Sequence, residues 1–261
     1  ALANNLNLLQ PTNLKDEQFL SELKNLNANL QVVVAFRMLP EVVWRMPKLG
    51  TFNLHASLLP NYRGAAPINW AIINGETKTG VTTFFIDDKI DTGAMILSKE
   101  ITIDENENAG NLHDRLMDLG SVAVAETLAV IEKGNVTTTI QQDSAEIKTA
   151  YKLNKENCKI DWTKSGNEIH NLIRGLTPYP CAWCFFEDKN EQWNVKIYDA
   201  IFTEENHNYP IGKIQTTKKE LKVAVANGYI EIKSLQFPGK KKMTTSELLN
   251  GISFSDEAHV K

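Results

Sequence analysis

The chain has 261 residues, 42% of them hydrophobic and 23% charged, with a formal net charge of −4 at pH 7. That balance suits a globular protein of one large or two smaller domains with a core of normal size. No apolar run approaches the length of a membrane span, and residues 1–10 carry neither a basic region nor a signal-peptide pattern.

The charge is uneven. Residues 1–150 carry 12 Lys and Arg against 18 Asp and Glu, whereas residues 151–261 carry 16 against 14. A mildly basic second half points weakly to an anionic partner there, with ordinary surface variation as the alternative. The three cysteines, Cys158, Cys181 and Cys184, fit a reducing compartment and a cytoplasmic location. Cys181 and Cys184 have zinc-like spacing, but no second pair or nearby His completes four ligands. Buried structural thiols are expected, and no metal.

In chain order, residues 13–26 predict an amphipathic helix capped by Asn13, with Leu14, Phe19, Leu20 and Leu23 at helical spacing. The run 31–36 is β-branched and predicts a parallel strand buried on both faces. A short helix over 39–46, a strand over 51–55 and a helix from Pro67 to Asn74 follow, Pro67 fitting a first helical turn. Residues 81–86 predict a strand, and 94–103 one or two more. Residues 111–133 predict the clearest helix, broken or bent at Gly120 and ended by Gly134. Helices alternating with apolar strands predict a doubly wound, mostly parallel α/β sheet.

Beyond residue 134 the pattern changes. Four threonines, two glutamines and scattered charges across 135–150 carry no apolar period and predict an extended linker. One helix over 165–176 then precedes short strands over 181–186, 195–202, 212–216, 221–226 and 229–236. Asn227-Gly228 is a strong hairpin signal. This second set predicts a small β-barrel of the oligonucleotide-binding (OB-like) kind.

Asn53 and His55 stand two apart on the strand 51–55, so both side chains leave the same face. Polar side chains of this kind belong at a strand end, where a site can be built. Ser57-Leu58-Leu59-Pro60 reads as a loop leaving the sheet, and Asp91 follows the neighbouring strand. The strand end, the loop and the helix start at Pro67 make one reaction platform, with Asp91 as its second half. Taken singly, His55 reads as a satisfied structural histidine, Asn53 as a turn residue and Asp91 as a loop residue. Arg63 could meet an anion or hold its loop by a salt bridge. The other histidines, His113, His170, His207 and His259, show no ligand spacing. No dinucleotide glycine fingerprint is present.

Asn53-Leu54-His55, Ser57-Leu58-Leu59-Pro60, Arg63-Gly64-Ala65-Ala66-Pro67 and Asp91-Thr92-Gly93 together resemble the folate-dependent formyltransferases. Leu235-Gln236-Phe237-Pro238-Gly239-Lys240-Lys241-Lys242-Met243 narrows the resemblance to the branch that acts on methionyl initiator tRNA. Residues 151–162 and 178–183 are similar to that branch as well. The resemblance implies a catalytic domain over 1–134, a linker over 135–155 and a C-terminal β-barrel tRNA-binding domain over 156–261. It implies transfer of the formyl group of 10-formyltetrahydrofolate to the α-amino group of methionyl initiator tRNA, for translation initiation. The implied catalytic residues are Asn53, His55 and Asp91. Ser57, Leu58, Leu59 and Pro60 would hold the folate, and Lys152, Lys155, Lys240, Lys241 and Lys242 would meet tRNA phosphates. The chain is expected to be a monomer that needs no membrane. Transfer to a small amine such as an amino-sugar nucleotide, or tRNA binding without turnover, are the alternatives. Family members begin with a strand, a glycine turn and a helix that would precede Ala1. The segment 35–40 lacks a glycine and is one residue shorter than the family's, which bears on the folate-pocket wall at Arg37 and Met38.

Overall fold

The computed structural model describes residues 2–35, 38–134 and 136–261. Phe36, at the end of the expected strand 31–36, and Arg37, in the expected pocket wall, lie outside the described residues. Two compact units are present. The first comprises Ala1–Arg63, Gly80–Glu100 and Asp118–Lys148; the second comprises Gly64–Thr79, Ile101–Met117 and Thr149–Lys261.

In chain order the elements up to residue 150 are α1 (Glu17–Asn25), β1 (Gln31–Val34), α2 (Glu41–Trp44), β2 (Thr51–His55), β3 (Arg63–Gly64), α3 (Pro67–Ile73), β4 (Lys78–Phe85), β5 (Met95–Thr102), α4 (Ala109–Glu132) and β6 (Thr149–Ala150). A sheet of order β1-β2-β4-β5 forms the frame of the first unit. β1 runs parallel to β2, with Val33 opposite Asn53. β4 runs antiparallel to β2, with Thr82 opposite His55. The sheet is thus mixed, as is common in doubly wound folds.

Three details differ from expectation for identifiable reasons. β1 is the edge strand among the described residues, so Val32 and Val34 are exposed rather than buried on both faces. α1 starts later than expected, because Asp16 and not Asn13 caps it: Asp16 Oδ1 accepts from Phe19 N at 2.9 Å. Asn13 instead accepts from Lys15 N in a turn ahead of the helix. α4 runs unbroken through Gly120. A Cβ there would lie 2.7 Å from Leu54 Cδ2, so the glycine lets the helix approach β2 closely. That contact covers the apolar face of β2, where Phe52 is fully buried. Thr51, Asn53 and His55 alternate onto the opposite face.

The remaining elements all belong to the second unit: α5 (Gly166–Leu176), β7 (Ala182–Asp188), β8 (Glu191–Glu204), β9 (Ile214–Thr216), β10 (Leu221–Val225), β11 (Gly228–Gln236), β12 (Met243–Thr244), α6 (Thr245–Leu249) and β13 (His259–Val260). The strand order is β13-β7-β8-β11-β10-β9, with β12 on β11. The two ends of this antiparallel sheet meet. Lys213 bridges His259, Ile214 N donates to Ala258 O at 3.1 Å, and Val260 N donates to Gly212 O at 2.8 Å. Closure of this kind removes exposed edges. Alternating inward residues, among them Phe186, Ile197, Leu221 and Ile230, fill the interior with Ile169 and Ile173 of α5. The hairpin between β10 and β11 forms, but its two-residue turn is Ala226-Asn227, one position earlier than expected: Gly228 already pairs with Val225, and a Cβ on it would collide with the Thr203 carbonyl. Asn227 Oδ1 also accepts from Gly166 N, so the same turn helps seat α5.

All three cysteines are buried and unpaired. Burial pushes each thiol up, most of all Cys184. Among the described residues no group of three or more His, Cys, Asp or Glu is placed to hold a metal ion. No described helix is long and apolar enough to cross a membrane.

α5 carries a pH dependence. Burial, and then the neighbouring Arg174 charge, hold His170 below the usual histidine range, against the smaller pull of Asp199, Glu105 and the Ala200 backbone. The folded chain therefore binds this proton more weakly than the unfolded chain, so stability falls as pH drops through about 6.5. His170→Gln is expected to flatten the dependence of the urea midpoint on pH between about 7 and 5. An unchanged slope would remove His170 from the account.

Candidate active site

β2 delivers two polar side chains to one face at its C-terminal end, and both are buried: Asn53 is 3% and His55 6% exposed. The imidazole is fixed from one side. His55 Nε2 lies 2.8 Å from the Tyr62 carbonyl. A carbonyl only accepts, so Nε2 carries the hydrogen and Nδ1 is the nitrogen left for chemistry. Nδ1 faces Asp91 Oδ2 at 3.7 Å. That is longer than a direct hydrogen bond but close enough for strong attraction once the ring is charged. Asp91 is itself 8% exposed. Asn53 Oδ1 is buried without a hydrogen-bond partner among the described residues. Such a group carries a desolvation cost, which a substrate partner can relieve.

The Asp91 loop is held on several sides. Asp91 adopts φ +55°, a left-handed conformation uncommon outside glycine. Thr92 Oγ1 donates to both oxygens of Asp87, at 2.9 and 3.0 Å. A Cβ on Gly93 would overlap the Phe85 carbonyl oxygen and lie 2.9 Å from its carbon, so only glycine lets the chain return to β4 here.

The loop 57–60 is tied back to β4 through one hydroxyl. Thr82 Oγ1 donates to Ser57 O at 2.8 Å and accepts from Leu59 N at 3.2 Å. Ser57 Oγ donates to Asn61 O at 2.6 Å, and the Leu58 carbonyl accepts from Asn61 N. Ser57 and Leu59 are buried, while Leu58 and Pro60 are partly open. Much of the loop's polar backbone is thus spent inside the chain, and its half-open side chains are the surface it offers. Met38, in the expected folate-pocket wall, is 72% exposed.

Two residues of this site carry little sequence signal. Arg63, left open between an anion contact and a salt bridge, makes the bridge: Nη1 pairs with Asp143 Oδ1 at 2.7 Å and Nε donates to Gln141 Oε1 at 2.9 Å. Gln141 is buried although it lies in the stretch expected to be linker. Its Nε2 donates to Asp91 O at 2.9 Å and Gly93 O at 2.8 Å. A single glutamine in a run without period gives no signal that it turns inward.

The lysines expected to meet tRNA, Lys152, Lys155, Lys240, Lys241 and Lys242, are all exposed in the second unit. Lys155 Nζ lies 5.3 Å from the centre of the Trp183 ring, and Lys242 Nζ 4.8 Å from that of Tyr198. Lys240 follows a turn at Gly239, φ +69°, closed by Lys240 N donating to Phe237 O.

Family models for formyl transferase and for the formyl transferase C-terminal domain match residues 2–128 and 152–253. The chain belongs to the formyl transferase family. A methionyl-tRNA formyltransferase of Flavobacterium johnsoniae is 75% identical over 260 residues, which is 100% of this chain and 82% of that protein. One of Bacteroides thetaiotaomicron is 50% identical, over 98% of this chain and 81% of its own length. Among solved structures, WlaRD, a sugar 3N-formyltransferase in the presence of dTDP and 5-N-formyl-THF, superposes with a TM-score of 0.65 at 23% identity. That match covers 92% of this chain and 80% of WlaRD, and it speaks for the formyl transferase fold.

Proposed function

We propose that this chain moves the formyl group of 10-formyltetrahydrofolate to the α-amino group of methionyl initiator tRNA. The observation that supports the chemistry is the buried His55–Asp91 pair at the strand end that also carries the buried Asn53, whose Oδ1 has no hydrogen-bond partner among the described residues. The acceptor follows from the relatives' shared name and their identity across the whole of this chain. An asparagine N–H is suited to a carbonyl that gains negative charge, and the folate supplies that carbonyl as its formyl group.

The amine must lose a proton, the carbonyl oxygen must be stabilised as it gains charge, and the departing nitrogen must gain a proton. Asn53 donates an amide N–H to the oxygen, a contribution of about 3–4 kcal/mol for donors of this kind. His55 accepts the amine's proton at Nδ1 and returns it to the departing nitrogen. Asp91 stabilises the imidazolium between those two transfers. One N–C bond forms, one breaks, and the proton is conserved. Ser57, Leu58, Leu59 and Pro60 flank the folate, largely through the partly open Leu58 and Pro60. We assign this chemistry to residues 1–134 and tRNA binding to residues 156–261, joined through 135–155, in a cytoplasmic monomer.

The test is formyl transfer measured with methionyl initiator tRNA and, separately, with small amine acceptors such as amino-sugar nucleotides. Transfer to the tRNA alone is expected; transfer only to a small amine would overturn the acceptor. In the same assay series, replacing Lys240, Lys241 or Lys242 singly by Ala should lower the salt slope of tRNA binding by about one unit for each phosphate that the lysine neutralises.

A further inference from the structure

We infer that Gln141 and Arg63 are positioning residues that aim Asp91 at His55. The inference rests on the role given to Asp91 above. Asp91 sits at φ +55°, where a non-glycine residue must be held by its surroundings. The side-chain amide of Gln141 spends both hydrogens on that turn, one on the carbonyl of Asp91 and one on that of Gly93. Fixing two carbonyls on either side of Thr92 sets the planes of the intervening peptides, and so the direction in which the Asp91 side chain leaves the backbone.

Gln141 is held in turn. Its oxygen accepts from Arg63 Nε, and Arg63 Nη1 is anchored on Asp143. The order of the contacts runs from the exposed Asp143 through Arg63, 16% exposed, and the buried Gln141 to the Asp91 backbone. The choice of residue is specific. A glutamate could not donate to two carbonyls, an asparagine is one methylene short, and a leucine would leave both carbonyls without this donor. Nothing in this chain of four residues requires Gln141 or Arg63 to touch a substrate, so both act through Asp91.

A double-mutant cycle tests this. Gln141→Leu and Gln141→Glu are expected to lower kcat by roughly 10- to 100-fold, the scale of a small misplacement, while KM for the folate and affinity for tRNA change less than about twofold. In an Asp91→Asn background, Gln141→Leu should cost less than about threefold, because the residue it acts through is already disabled. Arg63→Gln keeps Gln141 in place but frees it, and should give a smaller loss of the same kind. That variant carries the test if Gln141→Leu does not fold. Full additivity with Asp91→Asn, or no loss of kcat in Gln141→Leu, would overturn the positioning role and leave the proposed function standing. An Asp91→Asn chain with undiminished kcat would instead remove the catalytic assignment itself, and the positioning role with it.

Discussion

His55→Gln should lower kcat for formyl transfer by about 10²–10⁴-fold, the usual contribution of a positioned proton carrier, with tRNA binding unchanged. Glutamine is the informative replacement because its amide nitrogen can keep the bond that His55 Nε2 makes to the Tyr62 carbonyl at 2.8 Å. The fold then retains its buried hydrogen bond while the site loses the imidazole that faces Asp91 and can take up and release a proton. Alanine would confuse two effects, since it also removes the bond from His55 Nε2 to the Tyr62 carbonyl, at a cost of about 1–3 kcal/mol. Single-turnover formylation measured beside filter binding of tRNA separates the outcomes. Turnover within about threefold of the unmodified chain would defeat the assignment of His55.

The largest structural effect is expected from Gly93→Ala. The added Cβ would overlap the Phe85 carbonyl oxygen, and Phe84 Cδ2 stands 3.2 Å away. The obstacle is backbone, so relief requires the 87–93 loop to lift from β4, beside the ladder bond from Phe85 N to Ala94 O. We expect a loss of about 3 kcal/mol or more, a fall in Tm of roughly 6–12 °C, and turnover lost with the displaced Asp91. Gly134→Ala is the control. Gly134, unlike Gly93, has positive φ, +73°, and nothing lies within 4 Å of an added Cβ, so only the left-handed penalty of about 1–2 kcal/mol applies. Equal melting temperatures for the two variants would show that crowding at Gly93 is unimportant.

These expectations draw unequally on what the sequence made visible. Asn53 and His55 were legible because two polar residues at period two interrupt an apolar strand, and the strand forms where expected, over Thr51–His55. Asp91 took its meaning from family resemblance, since a carboxylate in a loop has no period to read. Gln141 was illegible: its burial depends on carbonyls of residues 50 and 48 positions earlier. Arg63 showed its charge but not its partner. The start of α1 was misplaced because Asn13 is itself a capping residue type, and only the bond from Phe19 N shows that Asp16 fills that position. The second unit was easier in outline, because its hairpin turn and inward alternation are local. The meeting of Lys213 with His259, which closes it, is not.

The tethered imidazole has one more implication. With Nε2 occupied by Tyr62, a single lone pair must serve both halves of the exchange. The entering and the departing nitrogen therefore have to visit one spot in turn, rather than being handled from opposite sides of the ring.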